Sequence, residues 1–243
     1  MAEKEEVVYW APFFKRTNHN DDPVDWSLLY EDPEQLYKIL AKDRNKAELV
    51  TMFNCPAMQN FTKNIYTLKN PVTTHLEVNE GHVHAISETS VMSRVDHISS
   101  ITDSSMFVLG LNWVFFAESD SLNIGISSPF ATKAPHMNYG TITPGSFDIG
   151  KWFRSFNLEF NLWKNVKEFK AEEGEHLAYV HFQTDKKVVL KRFEVNEKLT
   201  GYLLATSTSP NWDKKVPLVK RYERFKNSRM KEMIMKEIKN NLL

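Results

Sequence analysis

The chain has 243 residues, and its 31 Lys and Arg balance 31 Asp and Glu, so the formal charge is zero with neutral histidine. That balance argues against a nucleic-acid sleeve or a polybasic membrane binder, both of which depend on excess positive charge. A hydrophobic fraction of 42% suits a folded domain, and a single cysteine excludes an internal disulfide framework or a cysteine-based zinc ribbon.

The opening Met1-Ala2-Glu3-Lys4-Glu5-Glu6 is acidic and lacks the basic-then-apolar order of a signal peptide. The longest apolar run, Met106 to Ala117, is 12 residues interrupted by Asn112. A spanning helix needs about 20, so this run is expected in a core. Residues 1–48 read as an N-terminal extension with an aromatic patch at Trp10, Pro12, Phe13 and Phe14. A loop is expected over 18–25. Asp32-Pro33-Glu34-Gln35 then opens a helix: Asp32 caps free amides, Pro33 suits the first helical position, and Leu36, Ile39 and Leu40 supply the apolar stripe.

Residues 49–53 read as a strand, Pro56 to Lys63 as a short helix and 65–68 as extended. From Pro71 to Asn196 the pattern is β. Phe156, Leu158, Phe160 and Leu162 alternate with Asn157, Glu159 and Asn161, as in a half-buried strand. Met106 to Phe116 shows no alternation, which predicts a central strand covered on both faces. Two further strands, 177–182 and 187–195, flank a turn at Thr184-Asp185-Lys186. Many short strands punctuated by Gly and Pro predict a mainly β fold, an antiparallel β-sandwich of jelly-roll type over 49–212. Its expected core includes Phe107, Leu109, Leu111, Trp113, Phe115, Phe156, Leu158, Phe160, Tyr179 and Phe193.

Residues 213–243 differ. Pro217 to about Asn240 predicts one long amphipathic helix with a stripe of Leu218, Tyr222, Phe225, Met230, Met233, Ile234 and Ile238. Lys214 to Leu243 carries ten Lys or Arg against three Glu. The stripe slips in phase between Phe225 and Met230. That slip predicts two contact surfaces, the first half on the domain and the second half on another subunit or a protein partner.

The sharpest chemical candidate is His82-Val83-His84 with Glu88. On a strand these three share a side, and two imidazoles with a carboxylate suit Fe, Mn or Zn. The spacing resembles the first motif of the cupins, a metal-binding jelly-roll family, and implies a metal-dependent oxygenase or isomerase. Two features depart from that family: no glycine follows Glu88 at the usual distance, and Pro144-Gly145 has no histidine close behind it. A fourth ligand would come from His97, His136, His176 or His181. The competing reading is a polar, solvent-facing strand side. Cys55, between Asn54 and Pro56, has no base partner in sequence and reads as inert.

Three segments carry a second resemblance. They are Phe53-Asn54-Cys55-Pro56-Ala57-Met58-Gln59-Asn60, then Thr141 to Arg154 with its Gly150-Lys151-Trp152-Phe153-Arg154 block, then Gly174-Glu175-His176-Leu177-Ala178-Tyr179-Val180-His181-Phe182. In this order they resemble a family of small tailed-bacteriophage proteins, of marine and cyanophage type, over about residues 49–240. The family carries no established activity, so the resemblance implies a viral source, in the host cytoplasm or on the virion, and little chemistry. Within the block, Arg154 is expected to pair with Asp148 or hold an anion beside Trp152. Taken together, these readings predict a non-enzymatic binding or assembly module without a cofactor. It would form a homo-oligomer or meet a protein partner through the C-terminal helix, and it would contact neither membrane nor nucleic acid. The cupin-like metal enzyme is the alternative.

Overall fold

The computed structural model describes residues 4–13, 26–44, 55–79, 82–85, 106–206 and 218–243. The loop expected over 18–25, the strand over 49–53, His97 and Glu88 lie outside the described residues. The fold is mainly β, built of antiparallel sheets with one parallel pairing.

The long apolar run forms β6 (Met106–Ala117). It pairs on one side with β1 (Glu5–Pro12) and on the other with β10 (Ser155–Leu162). The first sheet is completed by β8 (Gly140–Ile142) beside β10 and by β13 (Lys187–Arg192), which runs parallel to β1. Residues 5–12, expected within an N-terminal extension, therefore lie inside the main sheet, and Trp10 is buried. A second five-stranded sheet holds β2 (Glu34–Gln35), β3 (Ile65–Lys69), β12 (His176–Phe182), β7 (Asn123–Ser127) and β9 (Gly145–Asp148), in that spatial order. A third, of β11 (Glu168–Ala171), β4 (Thr74–Asn79) and β5 (His82–Ala85), has three strands.

The two larger sheets meet through aromatic side chains. Phe115 of β6 and Phe182 of β12 are 5.7 Å apart, edge to face, and Phe115 stacks on Phe156 at 5.6 Å. All ten residues named above as expected core are buried. Two asparagines close the corners between sheets. Asn64 donates to the carbonyls of Thr184 and Lys186 while its own oxygen accepts the Val188 amide, so the 184–186 turn carries the chain from β12 to β13 in the other sheet. Asn70 donates to the carbonyls of Val72, Ala171 and Glu172. Its own carbonyl accepts the amide of Gly174, whose φ of +76° suits a residue without a Cβ.

The helices are short. Helix α1 is Leu36–Arg44, three residues beyond the expected start at Pro33, because Glu34 and Gln35 first pair with β3, and the Gln35 amide donates to the Lys63 carbonyl. Asp32 lies 3.5 Å from Arg192, so its carboxylate is drawn to β13. Helix α2 is Pro56–Thr62, as expected for that segment, and α3 is Glu197–Thr206. No helix among the described residues is long and apolar enough to cross a membrane.

The expected single C-terminal helix is two: α4 (Leu218–Lys226) and α5 (Met230–Asn240), broken at Asn227-Ser228-Arg229. The phase slip marks this break. The Ser228 hydroxyl donates to the Phe225 carbonyl and accepts the Met230 amide, ending one helix and starting the next. The second half does not leave the domain. Ile234, Met235 and Ile238 are buried with Phe225, Leu199, Leu203, Phe193, Val114 and Phe116 on the outer face of the first sheet. Beyond α5, Leu242 bridges Phe193, and the Leu243 amide donates to the Arg192 carbonyl. Of the expected stripe, Phe225, Ile234 and Ile238 are buried within the chain, whereas Met233 is 46% exposed. Ile238→Ala is expected to cost about 2–5 kcal/mol, the range for deleting a buried aliphatic side chain. Chemical denaturation of the full chain checks this.

Candidate functional site

The Gly150-Lys151-Trp152-Phe153-Arg154 block forms a corner between β9 and β10. Asp148, at the end of β9, accepts hydrogen bonds from Ser121 Oγ (2.6 Å), the Leu122 amide (3.1 Å) and the Gly150 amide (2.9 Å). Lys151 Nζ completes the shell at 2.7 Å. Burial acts to raise the Asp148 pKa, but the hydrogen bonds from Lys151, Ser121 and the two amides outweigh it and hold the carboxyl below its ordinary value. Gly150 is required by close approach, since a Cβ there would lie 2.5 Å from the Ser119 carbonyl oxygen.

The expected Arg154–Asp148 pair does not form. The Arg154 guanidinium lies over the Phe147 ring, 5.7 Å from its centroid, and Lys151 holds the carboxylate instead. Lys151 is three residues from Asp148 across the turn, whereas Arg154 follows two buried aromatics. Trp152 is no ligand platform either. It is buried against Tyr222 at 4.8 Å and Phe225 at 5.9 Å, under α4. The block is a structural corner.

The histidines fall in separate environments. His82 and His84 lie on β5, with position 82 opposite Asn79 and position 84 opposite Glu77 of β4. His136 is fully buried in a 3-10 turn, Pro135–Asn138. Its Nδ1 is 2.7 Å from Glu175 Oε1, which also accepts the His136 amide, and the Nε2 has no hydrogen-bond partner. Phe160 and Phe169 wall the ring. This buried pair links the 3-10 turn to the Gly174-Glu175 turn. Sequence reasoning missed it, because 39 residues separate the partners and nothing along the chain links them. His176 and His181 both have pKa values lowered chiefly by burial. Among the described residues no three His, Cys, Asp or Glu side chains converge as a metal cluster.

Among the described residues, an accessible pair of aromatic rings lies on the outer face of the second sheet. Phe61 of α2 and Phe130 are 52% and 54% exposed, and their ring centroids are 5.7 Å apart. Phe61 leans on His181 at 6.3 Å, and Phe130 meets the buried Tyr179 edge-on at 5.0 Å. The Tyr179 hydroxyl is fixed by Thr132 Oγ1 at 2.8 Å. From His181 the cross-strand row continues through Gly125 to Ser146, so the sheet beyond the two rings carries small, uncharged residues. Neither phenylalanine stands out in the sequence, since exposure is decided by the packing of α2 and the loop after β7.

A separate groove of about 650 Å³ lies at the seam between β13 and the edge of the second sheet. It is lined by charged residues engaged with one another: Lys42 with Glu34, Lys69 with Glu31, and Arg192 with Asp32. Arg192 also donates to the carbonyls of Tyr30 and Ser27 and lies over Trp10. Arg192 fastens the segment around Tyr30 to the first sheet, and Lys69 of β3 ties Glu31 to the second.

No family model, curated protein or solved structure matches the chain.

Asp148 offers a pH test of the corner. A carboxyl with a folded-state pKa below its unfolded value stabilises the fold above the unfolded pKa of about 3.9, and that contribution is lost as pH falls through the folded value. Asp148→Asn is therefore expected to be less stable than the parent at neutral pH, with the difference shrinking as the pH drops below about 4. Paired denaturation curves across that range check it.

Proposed function

We propose that the chain is a phage-encoded, non-enzymatic β-sandwich module for assembly, and that its copies associate through the outer face of the second sheet. The observation that supports this reading is the exposed pair Phe61 and Phe130, two large rings in mutual contact beside an uncharged sheet surface of Gly125 and Ser146. Exposed aromatics clustered on a well-ordered sheet are typical of interface anchors rather than of solvated surface. A second copy suits this patch, because the chain has no net charge to keep copies apart and the same face on both subunits makes a closed two-fold contact. Phe225, Ile234 and Ile238 of the C-terminal helices are buried within the chain, so this reading puts the contact on the sheet face instead.

Sedimentation velocity tests the proposal on the full chain. The parent is expected to sediment above its monomer mass of 28.3 kDa, and Phe61→Ser with Phe130→Ser is expected to sediment as a monomer of near-unchanged melting temperature. A parent that stays monomeric at high concentration, or a double variant that still associates, overturns it.

A further inference from the structure

Strand β9 is the outer strand of the second sheet, and among the described residues no strand pairs with its far side. The ladder fixes which of its peptide groups point there. The Ile149 amide donates to the Leu122 carbonyl, in register with the pairs Phe147–Ile124 and Gly145–Ile126. On the other side of β7, the Gln183 amide donates to the Asn123 carbonyl, so Asn123 and Gly125 bond to β12, and Ile124 and Ile126 are left for β9. Residues 145, 147 and 149 therefore turn their peptide groups towards β7, and the N–H and C=O of Ser146 and Asp148 face outwards. Gly145 and Ser146 are exposed, and a Cβ placed on Gly145 would meet no atom within 4 Å. The other edges of the two larger sheets are guarded. β13 carries Lys187, Lys191 and Arg192, and β2 and β8 are two and three residues long. Lysines and short length are common means of keeping an edge from pairing. β9 offers four residues, Gly-Ser-Phe-Asp, without a lysine.

Phe147 of this strand is capped by a cation without a counter-charge. The Arg154 guanidinium lies 5.7 Å from the ring centroid and has no anionic partner among the described residues. Arg154 is half-buried, and its Nε is shut off from solvent with no acceptor. Withdrawing a cation from water without a partner is costly, and a carboxylate supplied from outside offsets that cost.

We propose that β9 and Arg154 form a strand-addition site for an extended segment of a partner protein that carries an acidic residue. The segment hydrogen-bonds to the outward peptide groups of Ser146 and Asp148 and continues the second sheet by one strand. Its residue opposite Phe147 shares the face of that ring, with Cβ atoms roughly 5 Å apart. A Glu or Asp there reaches the guanidinium, whose planar fork suits a carboxylate. Asp148 does not compete for Arg154, because Ser121, Lys151 and two amides already satisfy it. The site uses the edge of the sheet and is independent of the Phe61–Phe130 face.

Selection of a displayed library of random peptides on the full chain tests this. The bound peptides are expected to carry Asp or Glu at one fixed position between β-forming residues. They are expected to bind Arg154→Gln and Ser146→Pro more weakly by roughly tenfold or more, the loss of a charge-assisted or main-chain hydrogen bond. Ser146→Pro removes one outward N–H and none of the β7 ladder, and proline is tolerated on an edge strand. Amide hydrogen exchange on the unaltered chain gives a readout that depends on no variant folding. A selected peptide is expected to slow the Ser146 and Asp148 amides and to leave the Phe147 amide, already bonded to β7, unchanged. Absence of enriched peptides, enriched peptides without a fixed acidic position, full affinity in either variant, or unaltered exchange at Ser146 and Asp148 overturns the proposal. So does protection of these two amides that rises with protein concentration in the absence of peptide, since a second copy then occupies the edge.

Discussion

The second half of strand β6, from Trp113 to Ala117, is buried on both faces, and much of the rest of the structure is arranged to cover it. Its odd-numbered residues, Phe107, Leu109, Leu111, Trp113, Phe115 and Ala117, enter the core between the sheets. Val114 and Phe116, from the even set, enter a second core with α3, α4 and α5. Between them the strand bulges. Phe156 and Leu158 of β10 pair with Trp113 and Leu109, so β6 carries two more residues than its partner over this step. Asn112 takes a φ of +48° there, with its side-chain amide donating to the Gly110 carbonyl at 2.7 Å. An insertion of two preserves the parity of the side chains, so the inward set stays inward across the bulge.

A strand with two apolar faces requires two layers, and that requirement explains the terminal segments. The N-terminal β1 lies against β6 with Trp10 on one face and Tyr9, Ala11 and Phe13 on the other. The C-terminal α4 and α5 then close the outer face, and charged groups at their rim fix the seating. Lys231 reaches the Ser119 carbonyl at 2.7 Å and Lys239 reaches Glu118 at 2.7 Å. Both ends of the chain are therefore part of the same packed unit. Much of the basic character of the last 30 residues reflects an amphipathic cover whose polar side faces water, with some of its lysines spent on the β6–β7 loop.

The buried polar groups mark where the sheets are joined. Asn64, Asn70 and the His136–Glu175 pair each satisfy backbone groups at turns that leave one sheet for another. Such turns lack ladder partners, and a buried backbone amide or carbonyl without one is costly. An amide side chain, with two donors and an acceptor, meets several of these needs at once. The polar residues of the interior are in this sense connectors.

Much of the β framework was legible in the residues themselves. Alternation over 156–162 reported one buried face, and its absence over 106–116 reported two, which holds from Trp113 on while Met106 and Val108 are half-buried. The phase slip between Phe225 and Met230 was also visible, and it marks the break between α4 and α5. Partnership was not legible. Pairing of β1 with β13 joins residues some 180 positions apart, and nothing in either strand specifies its neighbour. The same holds at the candidate sites. Sequence proximity proposed Arg154 for Asp148, whereas turn geometry supplied Lys151. The sequence by itself determined which segments become strands and which of their sides are apolar. Only the tertiary structure decided which residues become neighbours, since contacts between strands depend on register and on how sheets stack, and these are properties of the assembled chain.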